Sequence, residues 1–252
     1  MSGDRAGATL TPAAPASPAP DGDAPRPLSV RCLGTVAYGE ALALQADLVQ
    51  QRRAGFVPDQ LLLLEHPHVI TLGTSARAEH VLLDEDERRL LGIDLFETGR
   101  GGDVTYHGPG QLVGYPILDL KPDRQDLHRY VRDIEAALIQ AIAHFGVVGA
   151  RKPGLTGVWI GDAKIAAIGV RVSSGWITSH GFALNVTTDL DFFDAIVPCG
   201  IREYGVTSLA RTTSLAPAMD DVIAAVRDAF LDVFDRRLEP GAAGPGEGRG
   251  AS

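Results

Sequence analysis

Cys199, in Val197-Pro198-Cys199-Gly200, is one of only two cysteines in this 252-residue chain. Pro before it and Gly after it describe a turn that would expose a thiol, and a thiolate is a nucleophile. Taken alone, the tetrapeptide equally describes a small buried residue, the commoner use of free cysteine. Cys32 lies in an apolar strand pattern and reads as packing. Lys164 is one of three lysines against twenty arginines, so positive charge is normally supplied here by Arg. It opens the apolar run Ala163-Lys164-Ile165-Ala166-Ala167-Ile168-Gly169. An ammonium, unlike a guanidinium, loses its proton when desolvated. Position alone also suits a strand-end lysine with a packed stem and its head in water.

The third element is Arg100-Gly101-Gly102-Asp103-Val104-Thr105-Tyr106-His107, followed by Gly108-Pro109-Gly110 and the apolar run Leu112–Leu118. Glycine lets backbone approach a ligand closely. The layout of turn, polar residue, turn and strand suits a binding loop hung on a sheet. Arg100 with the two glycines suits a phosphate or carboxylate, but no Gly-Lys-Ser/Thr follows and no dinucleotide fingerprint is present. His66 and His68 flank Pro67 without a nearby Cys or carboxylate set, a weak metal signal. No metal site and no cofactor is expected.

These residues need elements to hold them. Ser29–Leu33, Gln60–Glu65 and Val69–Gly73 read as strands, and residues 93–97 lead into the glycine loop. Residues 36–53 read as a helix with Leu42, Leu44, Leu48 and Val49 on its apolar side, stopped at Gly55. Asp84 caps a short charged helix. The clearest helix spans 126–145, with Asp126 as cap, a stripe of Leu127, Tyr130, Val131, Ile134, Leu138, Ile142 and Phe145, and Gly146 as its end. Residues 157–160, 164–172 and 176–186 read as consecutive strands, and 219–234 as a last helix. Runs of strands with flanking helices indicate an α+β fold with a mixed, largely antiparallel sheet.

Residues 1–26 and 239–252 are rich in Ala, Pro and Gly and too poor in large apolar side chains to offset ordering entropy, so both are expected to be disordered tails. The stretch 27–238 between them suits a single domain. The N-terminal segment lacks the apolar stretch of a secretory signal, and no run approaches the length of a membrane span. Two cysteines make no disulfide framework, and a cytoplasmic location is the simplest expectation. A net charge of −9 argues against general nucleic-acid binding. Arg124, Arg129, Arg132, Arg151 and Lys152 are candidates for a local basic surface.

The motifs together resemble those of the lipoyl(octanoyl) transferases. Residues 100–116 look like the family's signature, and Glu65-His66-Pro67-His68-Val69-x-Thr71-x-Gly73 like an upstream motif. Gly157-Val-Trp-Ile, Lys164-Ile-Ala-Ala-Ile-Gly, His180-Gly-Phe-Ala-Leu-Asn185-Val and Pro198-Cys199-Gly200 follow in the family's order. The resemblance covers about residues 28–236. It implies a fold like the catalytic modules of lipoate and biotin protein ligases. It implies transfer of octanoyl from acyl carrier protein to a lysine of lipoyl domains, in 2-oxoacid dehydrogenase complexes and the glycine cleavage H protein. By position, Cys199 would carry the acyl group with Lys164 as its partner. Arg100, Gly101, Gly102, Asp103, Val104, Thr105, Tyr106, His107, Ala167, Ile168, Gly169, Gly181, Phe182 and Ala183 would line the substrate site. Tyr106, Ala167, Ile168 and Phe182 are the candidates for the apolar slot.

A thioester donor and an amide product make the transfer downhill without ATP. An ATP-dependent ligase of the same fold would need no cysteine, a cysteine hydrolase would release free acid, and a non-catalytic acyl-binding module would form no adduct. Lowering a thiol pKa from about 8.5 to about 6.5 raises its thiolate fraction at pH 7 from about 3% to about 75%. Nucleophilicity falls about six- to tenfold at the same time. The net gain is only a few-fold, so Lys164 must also position groups or move a proton.

Overall fold

The computed structural model of the chain describes residues 24–197 and 204–239. The expected tails lie almost wholly outside these, although Arg26 opens the first strand. Along the chain, β1 (Arg26–Thr35), α1 (Tyr38–Arg53), β2 (Asp59–Glu65) and β3 (Val69–Leu72) come first. Then come α2 (Glu85–Leu90), β4 (Asp94–Glu97), β5 (Val104–His107), β6 (Gln111–Ile117) and α3 (Leu127–Ala143). They are followed by β7 (Ala150–Lys152), β8 (Leu155–Ile160), β9 (Ala163–Val172) and β10 (Thr178–Asn185). The last are β11 (Gly205–Val206), α4 (Leu209–Thr212), α5 (Met219–Val233) and β12 (Arg236–Leu238).

The main sheet runs β12-β1-β2-β6-β10-β9-β8-β7, with β11 added to β9. Pairing is parallel for β12–β1, β1–β2 and β11–β9 and antiparallel elsewhere, the mixed, mainly antiparallel sheet that the strand runs imply. A smaller sheet, β4-β3-β5, stands beside it. Strands β2 and β6 are buried on both faces because helices cover both. Helices α3 and α5 close one face, with Phe230 of α5 packed over Leu61, Leu63, Phe182 and Leu184 in one cluster. Helix α1 closes the other over Leu62, Leu64, Val113 and Ile117. A third cluster, with Ile70, Tyr106 and Phe193, fastens the small sheet. Among the described residues no helix is long and apolar enough to cross a membrane.

Local signals place the helix ends. Asp126 accepts the His128 and Arg129 N–H groups at the start of α3. Asp84 and Glu87 form a reciprocal capping box on α2. Two stripes differ from expectation. In α1 the fully buried face is Tyr38, Ala41, Gln45 and Leu48, with Leu44 and Val49 half-buried beside it, so the expected stripe is rotated rather than replaced. Gln45 turns inward because its side-chain oxygen accepts the His180 N–H across the sheet, at 2.8 Å. In α3, Leu127 is 46% exposed, since the first turn extends beyond the core. At the far end Asp59, 1% exposed, joins Arg52 (2.8 Å), Arg236 (3.0 Å) and the Asp119 N–H (2.9 Å), tying β2 to α1 and β12.

Candidate active site

A cavity of about 810 Å³ lies along β9 and β10, between the Arg100–His107 segment and the start of α3. From Lys164 to Val170 it follows six residues of strand, about 20 Å at the usual rise. Gly101, Gly102, Asp103, Val104, Thr105 and His107 line one side. Ala167, Ile168 and Gly169 from β9, with Gly181, Phe182 and Ala183 from β10, form the floor. The mouth is wet and mixed in character, with Arg77, Leu127, His128 and Arg132 exposed.

Arg100 borders the cavity but braces the glycine loop. Its Nε and Nη2 reach the Thr71 hydroxyl at 3.2 and 2.9 Å, Nη2 donates to the Thr71 carbonyl at 2.7 Å, and Nη1 to the Gly101 carbonyl at 3.1 Å. Asp103 accepts the His80 Nδ1–H at 2.6 Å. Residues 104–107 are strand β5 rather than loop, and this corrects one expected contact. Tyr106 does not line the cavity. It is fully buried on the opposite side, with its hydroxyl 2.7 Å from His68 Nδ1 and its ring against Phe192 and Phe193. Strand alternation, which separates Tyr106 from Thr105 and His107, was the available signal.

The deep end is a cluster of neutral rings. Tyr38 stacks near His107 with ring centroids 6.2 Å apart, and Tyr38 and Tyr115 both border the cavity. His66 donates from Nδ1 to the Val36 carbonyl (2.6 Å) and accepts the Tyr115 hydroxyl at Nε2 (2.7 Å). His107 donates from Nδ1 to Gln111 Oε1 at 2.7 Å. Gln111 then donates to Asn185 (2.9 Å), and Asn185 to the Thr207 carbonyl (3.0 Å). Burial pushes the His107 pKa down to about 3, with His66 and Arg100 adding repulsion against the Gln111 bond. Burial, then the charges of Arg100 and Arg171, pushes His180 down to about 4. His66 is lowered as well, by burial. At neutral pH this end carries imidazole rather than imidazolium, which suits an apolar ligand.

Lys164 borders the same cavity at its other end, with Nζ 4.8 Å from the Trp159 ring centroid. Lys152 approaches that ring at 5.1 Å and the Tyr204 ring at 3.7 Å. Cys199 lies outside the described residues. The chain is described on both sides of it. The Val197 N–H donates to the His80 carbonyl (2.8 Å), and Tyr204 packs edge-on against Trp159 at 5.4 Å.

The basic patch needs correction. Arg124 is buried and paired with Asp133 and Asp123. Lys152 pairs with Asp162 at 2.5 Å. Arg129, Arg132 and Arg151 remain exposed. No group of three or more His, Cys, Asp or Glu among the described residues is arranged to hold a metal. Cavity residues not expected from sequence include Tyr38, His80, Tyr115, Val131 and Thr156. Tyr115 lies within the 100–116 motif, and the others lie outside the quoted motifs.

The lipoyl protein ligase A/B catalytic domain matches residues 37–231, and the chain belongs to that family. The Octanoyltransferase of Rubrobacter xylanophilus is 54% identical over 211 residues, covering 81% of this chain and 95% of that protein. That of Solibacter usitatus is 50% identical over 213 residues, covering 84% and 96%. The chain is an acyltransferase of this kind. Its fold is that of a putative lipoate protein ligase from T. acidophilum solved with bound lipoic acid, with TM-score 0.67 and 19% identity, over 84% of this chain and 88% of that one.

Proposed function

We propose that residues 27–238 form a catalytic domain that moves an octanoyl (or lipoyl) group from acyl carrier protein to a lysine of lipoyl domains, the first step of endogenous protein lipoylation. The acceptors are the lipoyl domains of 2-oxoacid dehydrogenase complexes and the glycine cleavage H protein, and the compartment is the cytoplasm. The observation that carries this reading is one cavity bordered at one end by Lys164 and at the other by uncharged rings, with a floor of Ala167, Ile168, Gly181 and Phe182. Such a cavity suits a medium-length acyl chain, each buried methylene contributing about 0.8 kcal/mol.

In the first step the Cys199 thiolate attacks the donor thioester, forming an acyl-enzyme thioester and expelling the carrier thiolate, which takes the Lys164 proton and leaves as the thiol. In the second, the acceptor amine attacks that thioester, an amide forms and the Cys199 sulfur leaves. Lys164 serves twice. As ammonium it stabilises the thiolate. Once acylation removes that anion, Lys164 loses its proton more readily and takes one from the incoming amine. Backbone N–H groups near Gly200 or His107 are the candidates for holding the oxyanion.

Intact-mass measurement after mixing with octanoyl carrier protein tests the scheme. An added octanoyl mass that is absent in Cys199→Ser is expected. Lys164→Arg keeps a cation but removes the base, so it should slow amide formation more than acyl loading. Equal slowing of both steps counts against the proton-transfer role. Turnover of free octanoate with ATP, and no adduct from the carrier thioester, would establish a ligase instead.

A further inference from the structure

Glu135 lies on the inner face of α3, with no exposed surface. A carboxylate there is expensive unless fully partnered, and an apolar residue would serve the core better. Its partners join three elements. Oε2 accepts Arg132 Nη1 from its own helix at 2.6 Å and Arg151 Nε from β7 at 3.0 Å. Oε1 accepts the backbone N–H of Gly157, in β8, at 3.0 Å.

Gly157 lies beneath Lys164. Its φ is +121°, a conformation that side-chain-bearing residues rarely adopt. A Cβ placed there would lie 2.5 Å from the Ala166 carbonyl and 3.4 and 3.5 Å from Cε and Cδ of Lys164. The Ala166 carbonyl and the backbone angle exclude a side chain at Gly157, and the Lys164 stem lies in van der Waals reach of the same spot. Immediately beyond, the β8–β9 pairing slips between Val158 and Trp159, and the slip sets Trp159 opposite Lys164. The ring that Nζ approaches thus depends on the course of the strand at Gly157.

We propose that Glu135 is a positioning residue for Lys164. Its carboxylate anchors the Gly157 N–H and so holds the irregular turn of β8 that seats the lysine stem and presents Trp159 to its ammonium. This deepens the proposed role of Lys164 and rests on it. The two arginines hold the carboxylate in place from α3 and β7, and the Arg151 guanidinium is itself fixed by the Arg132 carbonyl at 2.8 Å. The Gly157 anchor itself depends on length: Glu135→Gln retains an oxygen able to reach the Gly157 N–H, although its NH2 forfeits the two arginine bonds, whereas Glu135→Asp keeps the charge but is one methylene short.

Two readouts test the inference. The chain has three lysines, Lys121, Lys152 and Lys164, so reductive ¹³C-methylation gives three assignable lysine signals. In the unsubstituted enzyme the Lys164 signal should be displaced by the Trp159 ring. Glu135→Asp should move it toward that of an exposed lysine, with Lys121 as reference, and Glu135→Gln should leave it largely in place. In single-turnover amide formation by unmodified protein, Glu135→Asp should lose about 10- to 100-fold and Glu135→Gln about threefold or less, as expected for a displaced reacting group. An Asp variant with the native Lys164 signal and rate, or the reverse ranking of Asp and Gln, overturns the inference. If Glu135→Asp fails to fold, Gly157→Ala drives the same turn of β8 away from the Ala166 carbonyl and must displace the same signal. Because the signal does not depend on turnover, an active Lys164→Ala variant would sink the role of Lys164 while leaving the anchoring by Glu135 separately tested.

Discussion

The neutral histidines at the deep end make acid sensitivity a quantitative consequence of the fold. His107 titrates at about 3 and His180 at about 4 in the folded chain, against about 6.5 when unfolded. Below pH 6.5 the unfolded chain binds protons that the folded chain refuses, so stability falls with pH. Near pH 5.5 each unfolded imidazole carries about 0.9 proton and each folded one almost none. The slope is then roughly 2.5 kcal/mol per pH unit for the pair. Between pH 7 and pH 5 each ring removes about 2 kcal/mol, together about 4, a large share of an ordinary stability of about 5–15. Urea unfolding at pH 7, 6 and 5 measures this directly. Replacing either ring with asparagine should lower the slope by that ring's share, roughly 1.2 kcal/mol per pH unit. For His180, whose φ is 56°, asparagine is the substitution that best tolerates the left-handed backbone. Stability that is flat from pH 7 to pH 5, or slopes unchanged in both variants, would refute the assignment of these rings as neutral.

Two further predictions concern single residues. A Cβ at Gly73 would overlap the Gly102 carbonyl and lie 2.8 Å from Arg100 Nη1. Gly73→Ala should therefore displace the glycine loop, reducing acyl transfer by about tenfold or more while costing about 1–3 kcal/mol in thermal or urea unfolding. Asp59 does not border the cavity but has two buried or half-buried arginines as partners. Asp59→Ala should cost about 3–5 kcal/mol in urea unfolding with turnover per folded molecule unchanged, which separates stability from activity.

The order of strands and helices, the caps at Asp84 and Asp126 and the stop at Gly146 were open to sequence reading because they follow from periodicity and local turn chemistry. The expected site residues also supply about half of the cavity lining: residues 100–105, 107, 167–169 and 181–183, together with Lys164. Partnerships across long separations could not be read this way. Arg124 looked like surface charge until Asp133 and the Phe234 ring closed over it. Leu127 looked like core until the helix extended past the sheet. Gln45, outside the expected stripe, is buried where it accepts the N–H of His180, 135 residues away. Tyr106 belonged to the right motif but pointed to the other face of its strand.

The sequence by itself determined where the backbone turns, which runs are apolar and which reactive residue types are present, since these depend on neighbours a few positions apart. Only the tertiary structure decided which face each side chain uses, which histidines are kept neutral and which buried carboxylate lies beneath the lysine. Burial and hydrogen-bond pairing are properties of the surroundings, and here those surroundings come from strands and helices far apart in the chain.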